Sequence, residues 1–359
     1  VIKNFSQVLK LYRSGDLKVT SNIFSKFLAL FAIVPVLIFA ESSQDELVEK
    51  QRIDMPNGGM LMPYLGVSHL DDLFPNIRQV YDLNIGGSIS GFTSYAANFP
   101  GDDPNLKKII VFENCKSNYF SNLPKSKLVL FRIEATKMKP PHYEPFSIVY
   151  TMDDDLVDGV KFFKYYYPSL LPILPELVPF EEKKLCTMIA SNWTIERVKI
   201  AEFFETKPEG EFEFYGYFRA GRSRTVNLAN SKMYKGRIPG NFSSSDKLAI
   251  LANYRFCICF ENRHNTRGYI SEKIFHCFAA GCVPVYWGPD NVEDYIPKSC
   301  FIDYRDFQSD EELYQFIKNM PRKTYERYLK NIRAFLKSPQ AHLFSPEHFE
   351  QTVYEAVNR

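Results

Sequence analysis

The chain has 359 residues, of which 45% are hydrophobic and 24% charged, with a formal net charge of +2. This composition excludes extended disorder, and the length exceeds what one hydrophobic core usually organises, so two domains are expected. Lys3, Lys10, Arg13, Lys18 and Lys26 against Asp16 alone make the first 26 positions basic; the remainder is slightly acidic and lacks the electrostatic footprint of a nucleic-acid binder.

Residues 27 to 40, FLALFAIVPVLIFA, form an uncharged apolar run behind that basic leader. As a helix it would span about 21 Å, short of a hydrocarbon core of about 30 Å. It therefore resembles a signal-peptide core or a minimal signal anchor more than a full span, and the competing reading is a buried segment of the first domain. The positive charge before it would keep that end cytoplasmic and send the rest across. Residues 41 to 105 are rich in Gly, Pro, Asn and Asp and contain only short apolar runs such as MLMPYLGV.

Three runs then end in polar residues: KKIIVFEN (107 to 114), KLVLFRIE (127 to 134) and FSIVYTMD (146 to 153). They read as buried strands of a parallel sheet, whose C-terminal ends carry the chemistry in open α/β folds. The segment 165 to 184 holds four prolines, cannot be one helix, and reads as a connection between domains.

A second alternation follows. CTMIAS (186 to 191), FEFYGYF (212 to 218), RFCICFEN (255 to 262) and VPVYWG (283 to 288) read as strands. IERVKIAEFFE (195 to 205), DKLAILANY (246 to 254) and SEKIFHCFAAG (271 to 281) read as helices. Beyond 310 the chain is helical and charged, and its last segment, FEQTVYEAVNR, is able to pack back over the first domain. The seven cysteines have neither a C-x-x-C pair nor a His at metal-ligand spacing, so buried thiols are expected rather than a zinc site or a disulfide framework.

The informative stretch is GYISEKIFHCFAAGCVPVYWGPDN, residues 268 to 291. With RFCICFE before it, it makes a right-handed βαβ unit, with Ser271 as N-cap and Gly281 as the residue after the helix. A helix entered at the C-terminal end of a strand presents unpaired N–H groups to a cleft, which is a ready anion site. Lys273 in its first turn opposes the helix dipole, which makes sense opposite a polyanion, and Glu272 can accept hydrogen bonds from a diol such as ribose. The bland alternative is an ordinary solvated first turn.

The run CFEN, a short loop, GYISEK, the helix, AGCVPVYWG and then NVEDYIPKSCFI is similar to the signature of the alpha-1,3-fucosyltransferases, glycosyltransferase family 10. The similarity extends more thinly over residues 125 to 345. It implies transfer of L-fucose from GDP-fucose to a GlcNAc hydroxyl with inversion, with no cofactor and no obligatory metal. The implied fold is α/β of GT-B type, two Rossmann-like doubly wound domains with the cleft between them. The expected division is a leader and anchor-like run (1 to 40), an acceptor-binding domain (41 to 170), a linker (171 to 185), a GDP-fucose-binding domain (186 to 335) and a helical tail (336 to 359).

Carried over residue by residue, the resemblance implies that Lys273 meets the donor pyrophosphate and Glu272 the ribose. Tyr269 would contact the donor phosphates, Asn262 would line the pocket, and Arg197, opening a helix early in the donor domain, would face the pyrophosphate. Glu134 fits the general base, although the residues after it, ATKMKPP, are longer than the family's usual turn. Arg219, Lys235 and Arg237 lie in polar stretches able to approach GDP and are held in reserve. Glu261 reads as structural beside the donor. Ser271 stands where relatives have Thr, and the region before 105 lacks the family's usual opening strand. A metal-free site needs fixed cations for a departing diphosphate, and Lys273 and Arg197 would supply them.

Two rival readings carry different chemistry. MDDDLVDG (152 to 159) offers Asp153 and Asp155 as the D-x-D of a metal-dependent nucleotide-sugar transferase. Alternatively the chain is a GDP- or glycan-binding protein without turnover. The partners implied by the resemblance are GDP-fucose and a galactosyl-GlcNAc type glycan, with membrane association through residues 27 to 40. The corresponding location is a type II arrangement, in the Golgi if the source is eukaryotic, or the cytoplasm if bacterial. NWT at 192 and NFS at 241 are N-glycosylation sequons.

Overall fold

The structure, a computed structural model, describes residues 53–54, 59–62, 108–112, 124–132, 140–218, 226–238 and 244–359. Two sheets organise them. The first has six strands in chain order: β1 (Ile53–Asp54), β2 (Gly59–Met62), β3 (Lys108–Phe112), β4 (Leu128–Phe131), β5 (Ile148–Thr151) and β6 (Phe162–Lys164). Only β1 and β2 pair antiparallel; the rest are parallel, with Val111 opposite Leu130 and Leu130 opposite Val149. All four residues of both β4 and β5 are buried, as a sheet covered on two faces requires.

The three strands expected between 107 and 153 are therefore present. Three others, β1, β2 and β6, escaped the sequence. The stretch before 105 does contain a parallel neighbour of β3, because Gly59–Met62 pairs with Lys108–Val111; the expectation of a missing opening strand is corrected. GMLM is too short to show a period, and β6 hides in the aromatic run KFFKYYY.

The second sheet contains β7 (Lys184–Ala190), β8 (Phe212–Gly216), β9 (Tyr254–Phe260), β10 (Val283–Trp287) and β11 (Ile302–Asp303), in the spatial order β11-β10-β9-β7-β8. All its pairings are parallel, with Cys257 opposite both Thr187 and Pro284. The chain steps outward from β7 to β8, then returns to the other side of β7 to lay down β9, β10 and β11. This reversal makes the sheet doubly wound and opens a crevice at the C-terminal ends of β7 and β9. Helices α1 (Ile195–Glu205), α2 (Ser244–Leu251) and α3 (Glu272–Ala279) join these strands.

The proline-rich stretch between the sheets forms no helix or strand and lies against the second sheet's layer. The Leu174 N–H donates to the Ala279 carbonyl at 2.9 Å, and those of Ser169 and Leu170 to Phe344 at 2.9 Å. Lys183, only 4% exposed, donates to the carbonyls of Ala252, Gly281 and Tyr254, the first two following the ends of α2 and α3. A buried ammonium is tolerated there because carbonyls at helix C-termini carry partial negative charge. Gly281 adopts the left-handed φ of 60° that ends α3, and the Leu177 side chain occupies the space a Cβ would take.

After β11 come α4 (Asp310–Lys318), α5 (Arg322–Leu336) and α6 (Pro346–Asn358). Ser309 and Ser345 cap α4 and α6 through their hydroxyls, accepting from the N–H groups of Glu312 and His348. As expected, α6 returns to the first sheet: the Phe349 ring meets Phe131 and Tyr165, with centroids 5.6 Å away in each case. Among the described residues no helix is long and apolar enough to cross a membrane, and residues 27 to 40 lie outside them.

Candidate active site

A cavity of about 280 Å³ occupies the crevice between β7 and β9. Its floor comes from Ile189 to Asn192 and from Cys257 to Phe260; Arg197 of α1, Lys247 of α2 and Glu272, Lys273 and His276 of α3 complete its walls with Asn262. Four of the expected donor residues, Arg197, Asn262, Glu272 and Lys273, thus converge on one space although 76 positions separate the first from the last.

Arg197 reaches the floor because Thr194 caps α1, its hydroxyl accepting from the Arg197 N–H at 3.4 Å. The side chain is 3% exposed. Its guanidinium donates to the Asn192 carbonyl at 2.5 Å and to the Phe260 carbonyl, tying together the ends of β7 and β9. Burial pulls its pKa down, and the nearby Glu261 and Glu272 oppose that shift. Both acceptors are neutral, so the positive charge is oriented without being cancelled.

Lys273 is held differently. Its Nζ lies 3.0 Å from Glu261 Oε2 and donates to Ser271 Oγ at 2.7 Å. The Glu261 side chain is completely buried, and its carboxylate also accepts from the Ser271 N–H (2.9 Å), the Ser271 hydroxyl (2.8 Å) and the Tyr286 hydroxyl (3.1 Å). Burial pushes the Tyr286 phenol up and Glu261 adds to the effect, so it remains a neutral donor. Burial by itself would lower Lys273, but Glu261 and Glu272 outweigh it and hold the ammonium above its usual range.

Ser271 occupies the N-cap position of α3 without making a side-chain cap, because its hydroxyl is committed to Glu261 and Lys273. The expected cap is thus positional only, and the first-turn N–H groups of α3 are not covered by that side chain. Burial would raise Glu272, yet Lys273, Lys247 and His276 hold its carboxyl well below the usual carboxylate range. It stands ionised at the cavity wall, 4.0 Å from Lys247.

The remaining expectations fall as follows. Tyr269 is 3% exposed and does not line the cavity; it lies in the buried turn preceding α3, its N–H bonded to the Thr266 carbonyl at 3.2 Å. Lys235 lies on the β8 side, 3.5 Å from Glu213, and the Arg237 guanidinium sits 4.1 Å from the Tyr217 ring centroid; neither lines the cavity. Glu134 and Arg219 lie outside the described residues.

Lys247 and His276 were missed by sequence reasoning. Both carry a faint signal: Lys247 and Leu251, and likewise Glu272 and His276, are four apart on one helix face and share the cavity. The sequon residue Asn192 also lines the cavity. The six described cysteines are free and buried, as expected, and Cys257, Cys259 and Cys277 lie under the pocket.

The Asp153–Asp155 run does other work. Asp153 caps a short 3₁₀ turn, accepting from the Asp155 N–H at 3.2 Å, and Asp155 faces Arg267 at 3.5 Å. Asp154, between them, pairs with Lys164 at 2.6 Å and reaches the second sheet's loops. No group of three His, Cys, Asp or Glu side chains is placed to hold a metal among the described residues.

Residues 180–349 match the model of the glycosyltransferase family 10 (fucosyltransferase) C-terminal domain. The chain carries a family 10 glycosyltransferase domain. Every described cavity residue from Ile189 to Cys277 lies within it. The 4-galactosyl-N-acetylglucosaminide 3-alpha-L-fucosyltransferase 9 of Rattus norvegicus is 29% identical over 181 residues, which are 50% of this chain and 44% of that protein. The chain thus spans less than half the length of the curated relatives it matches.

Among solved structures, an alpha1,3-fucosyltransferase crystal structure aligns over 88% of this chain and 97% of its own, with TM-score 0.50 and 14% identity. A glycosyltransferase from Rickettsia africae aligns over 83% and 96%, with TM-score 0.52 and 10% identity. These likenesses extend across both sheets, and the fold is the two-domain GT-B arrangement, with the family 10 domain supplying the second sheet and its crevice.

Proposed function

We infer that this chain is an inverting fucosyltransferase that moves L-fucose from GDP-β-L-fucose to the 3-hydroxyl of GlcNAc in a galactosyl-GlcNAc type glycan. The observation that carries this reading is the convergence of Arg197, Lys247 and Lys273 around an ionised Glu272 in a family 10 cavity at the strand switch point. The acceptor follows the similar 4-galactosyl-N-acetylglucosaminide 3-alpha-L-fucosyltransferases, which are named for theirs.

In this reading the diphosphate lies against Arg197, Lys273 and the opening N–H groups of α3, and Glu272 accepts from the ribose hydroxyls. Glu134 takes the proton of the acceptor 3-hydroxyl as that oxygen bonds to the fucose anomeric carbon from the opposite face. The bond from that carbon to the β-phosphate oxygen breaks, and its electron pair leaves with GDP. The cations are fixed before reaction, so the developing charge is met without reorganisation, and no metal is required. Residues 27 to 40 would anchor the enzyme at a membrane.

The test uses the purified chain with labelled GDP-fucose and N-acetyllactosamine, with and without EDTA. Label on GlcNAc and release of GDP in both arms is expected, and Glu134→Gln should lower transfer by on the order of 10²-fold or more while GDP affinity is kept. GDP binding without transfer would make the chain a binding protein. Loss in EDTA restored by Mn²⁺ would return the chemistry to Asp153 and Asp155.

A further inference from the structure

The acidic run that the proposed chemistry leaves unused reaches across from the first sheet to the loop that leads into the cavity. Asp154 Oδ2 accepts from Asn291 Nδ2 at 2.8 Å and from the Tyr295 hydroxyl at 2.6 Å. The Asp154 N–H donates to the Arg267 carbonyl at 3.0 Å. Lys164, at the end of β6, lies 2.6 Å from Asp154 Oδ1 and also donates to the carbonyls of Met152 (2.7 Å) and Gly268 (3.3 Å).

The Gly268 residue is held at both of its polar backbone atoms. Its N–H donates to Asn291 Oδ1 at 2.9 Å, the same side chain that donates to Asp154, and its carbonyl accepts from Lys164. Its φ of +74° is in the left-handed region, and a Cβ there would stand 2.4 Å from Lys164 Nζ and 2.5 Å from the Asp154 carboxylate oxygens. The close approach therefore demands glycine. Asp154 and Lys164 are about one-fifth exposed, at 22% and 17%, so solvent screens the pair only in part. Tyr269 is the next residue, and Glu272 and Lys273 follow within five positions.

We propose that Asp154 and Lys164 are positioning residues: they form a lock between the two sheets that sets the register of the Gly268–Tyr269 loop, and with it the donor cavity, against the first sheet. The cavity itself is built from residues 189 to 277 of the second domain alone, so the lock does not touch the nucleotide. What it governs is the distance between the donor carbon and groups on the first sheet. A misplacement of about 1 Å in such a relation costs on the order of 10²-fold in rate.

The kinetic half of this inference rests on the fucosyl-transfer reading; the structural half does not. The test is Asp154→Asn and, separately, Lys164→Met in the full chain, with amide hydrogen exchange of peptides covering Gly268 and Tyr269, GDP titration, thermal unfolding and donor kinetics. Faster exchange at Gly268–Tyr269 with unchanged exchange in β9 and β10 is expected in both variants. With it should come a fall in kcat of on the order of tenfold or more while GDP affinity stays within about twofold. A structural role alone would instead lower the unfolding temperature and GDP affinity together. Unchanged exchange at Gly268–Tyr269 in both variants overturns the lock whatever the activity. If the wild-type chain transfers no fucose but exchange rises as described, the lock stands and the activity reading fails.

Discussion

The Glu261 carboxylate, wholly buried, lies 3.0 Å from the Lys273 ammonium and is its ion-pair partner at the cavity wall. The pairing makes Lys273 two things at once: a cation lining the cavity and the counter-charge of a buried acid. Removing either member alone leaves a different fault. A buried carboxylate without its cation costs far more than a lysine without its carboxylate, because Lys273 still reaches solvent and Glu261 does not.

Lys273→Met is therefore expected to lower stability by on the order of 2–4 kcal/mol as well as to abolish tight GDP binding. In the double variant Glu261→Gln with Lys273→Met, neither member of the pair is left as an unpaired charge, and most of the stability should return while GDP affinity does not. Urea unfolding and GDP titration on both variants check this. Recovery of GDP binding in the double variant would show that Lys273 serves the fold and not the ligand.

His348 sits in the first turn of α6, with its ring centroid 5.9 Å from that of Tyr166 and 6.3 Å from that of His342. Burial lowers its pKa, and the neighbouring His342 lowers it further against a weaker pull from Glu355. With the folded value depressed below the ordinary one near 6.5, its contribution is fully present above about pH 6.5 and is lost as pH falls through the folded value. The docking of α6 on the first sheet should then weaken under mild acid. Unfolding temperatures at about pH 7.5 and pH 5.5 should differ less in His348→Gln than in the wild type, and an equal difference in both would remove His348 from the account.

Asn192 is a sequon residue that lines the cavity, and its carbonyl accepts from Arg197. A glycan on that side chain would crowd the cavity proposed to take the diphosphate. Protein made in a glycosylating host is expected to carry no glycan at Asn192 in the fraction that binds GDP-agarose, which peptide mass spectrometry will show. An occupied Asn192 in that fraction would place the nucleotide elsewhere. The second sequon residue, Asn241, lies outside the described residues.

The second domain was largely legible because its signals are local. The helix read over 195 to 205 is found as Ile195–Glu205, and Gly281 ends α3 with a positive φ, since capping and periodicity act within a few residues. The first domain was less so. β2 and β6 are four and three residues long, too short for a period to emerge, and are made strands by their neighbours.

Residue chemistry and order were enough to point to an anion-facing βαβ unit around Glu272 and Lys273, and the family resemblance added Arg197 and Asn262, which line the same cavity. They could not say what each side chain touches. Arg197 meets Phe260 across 63 positions and Asp154 meets Asn291 across 137, and such pairings exist only after parallel strands have brought distant loops to one sheet end. Hydrophobic pattern and caps are properties of a short segment and survive in the bare chain. Burial and charge pairing belong to the assembled layers, and they alone decided that Tyr269 turns inward, that Ser271 serves Glu261 rather than its helix, and that Asp154, in the middle of an acidic run, joins the first sheet to the loops of the second.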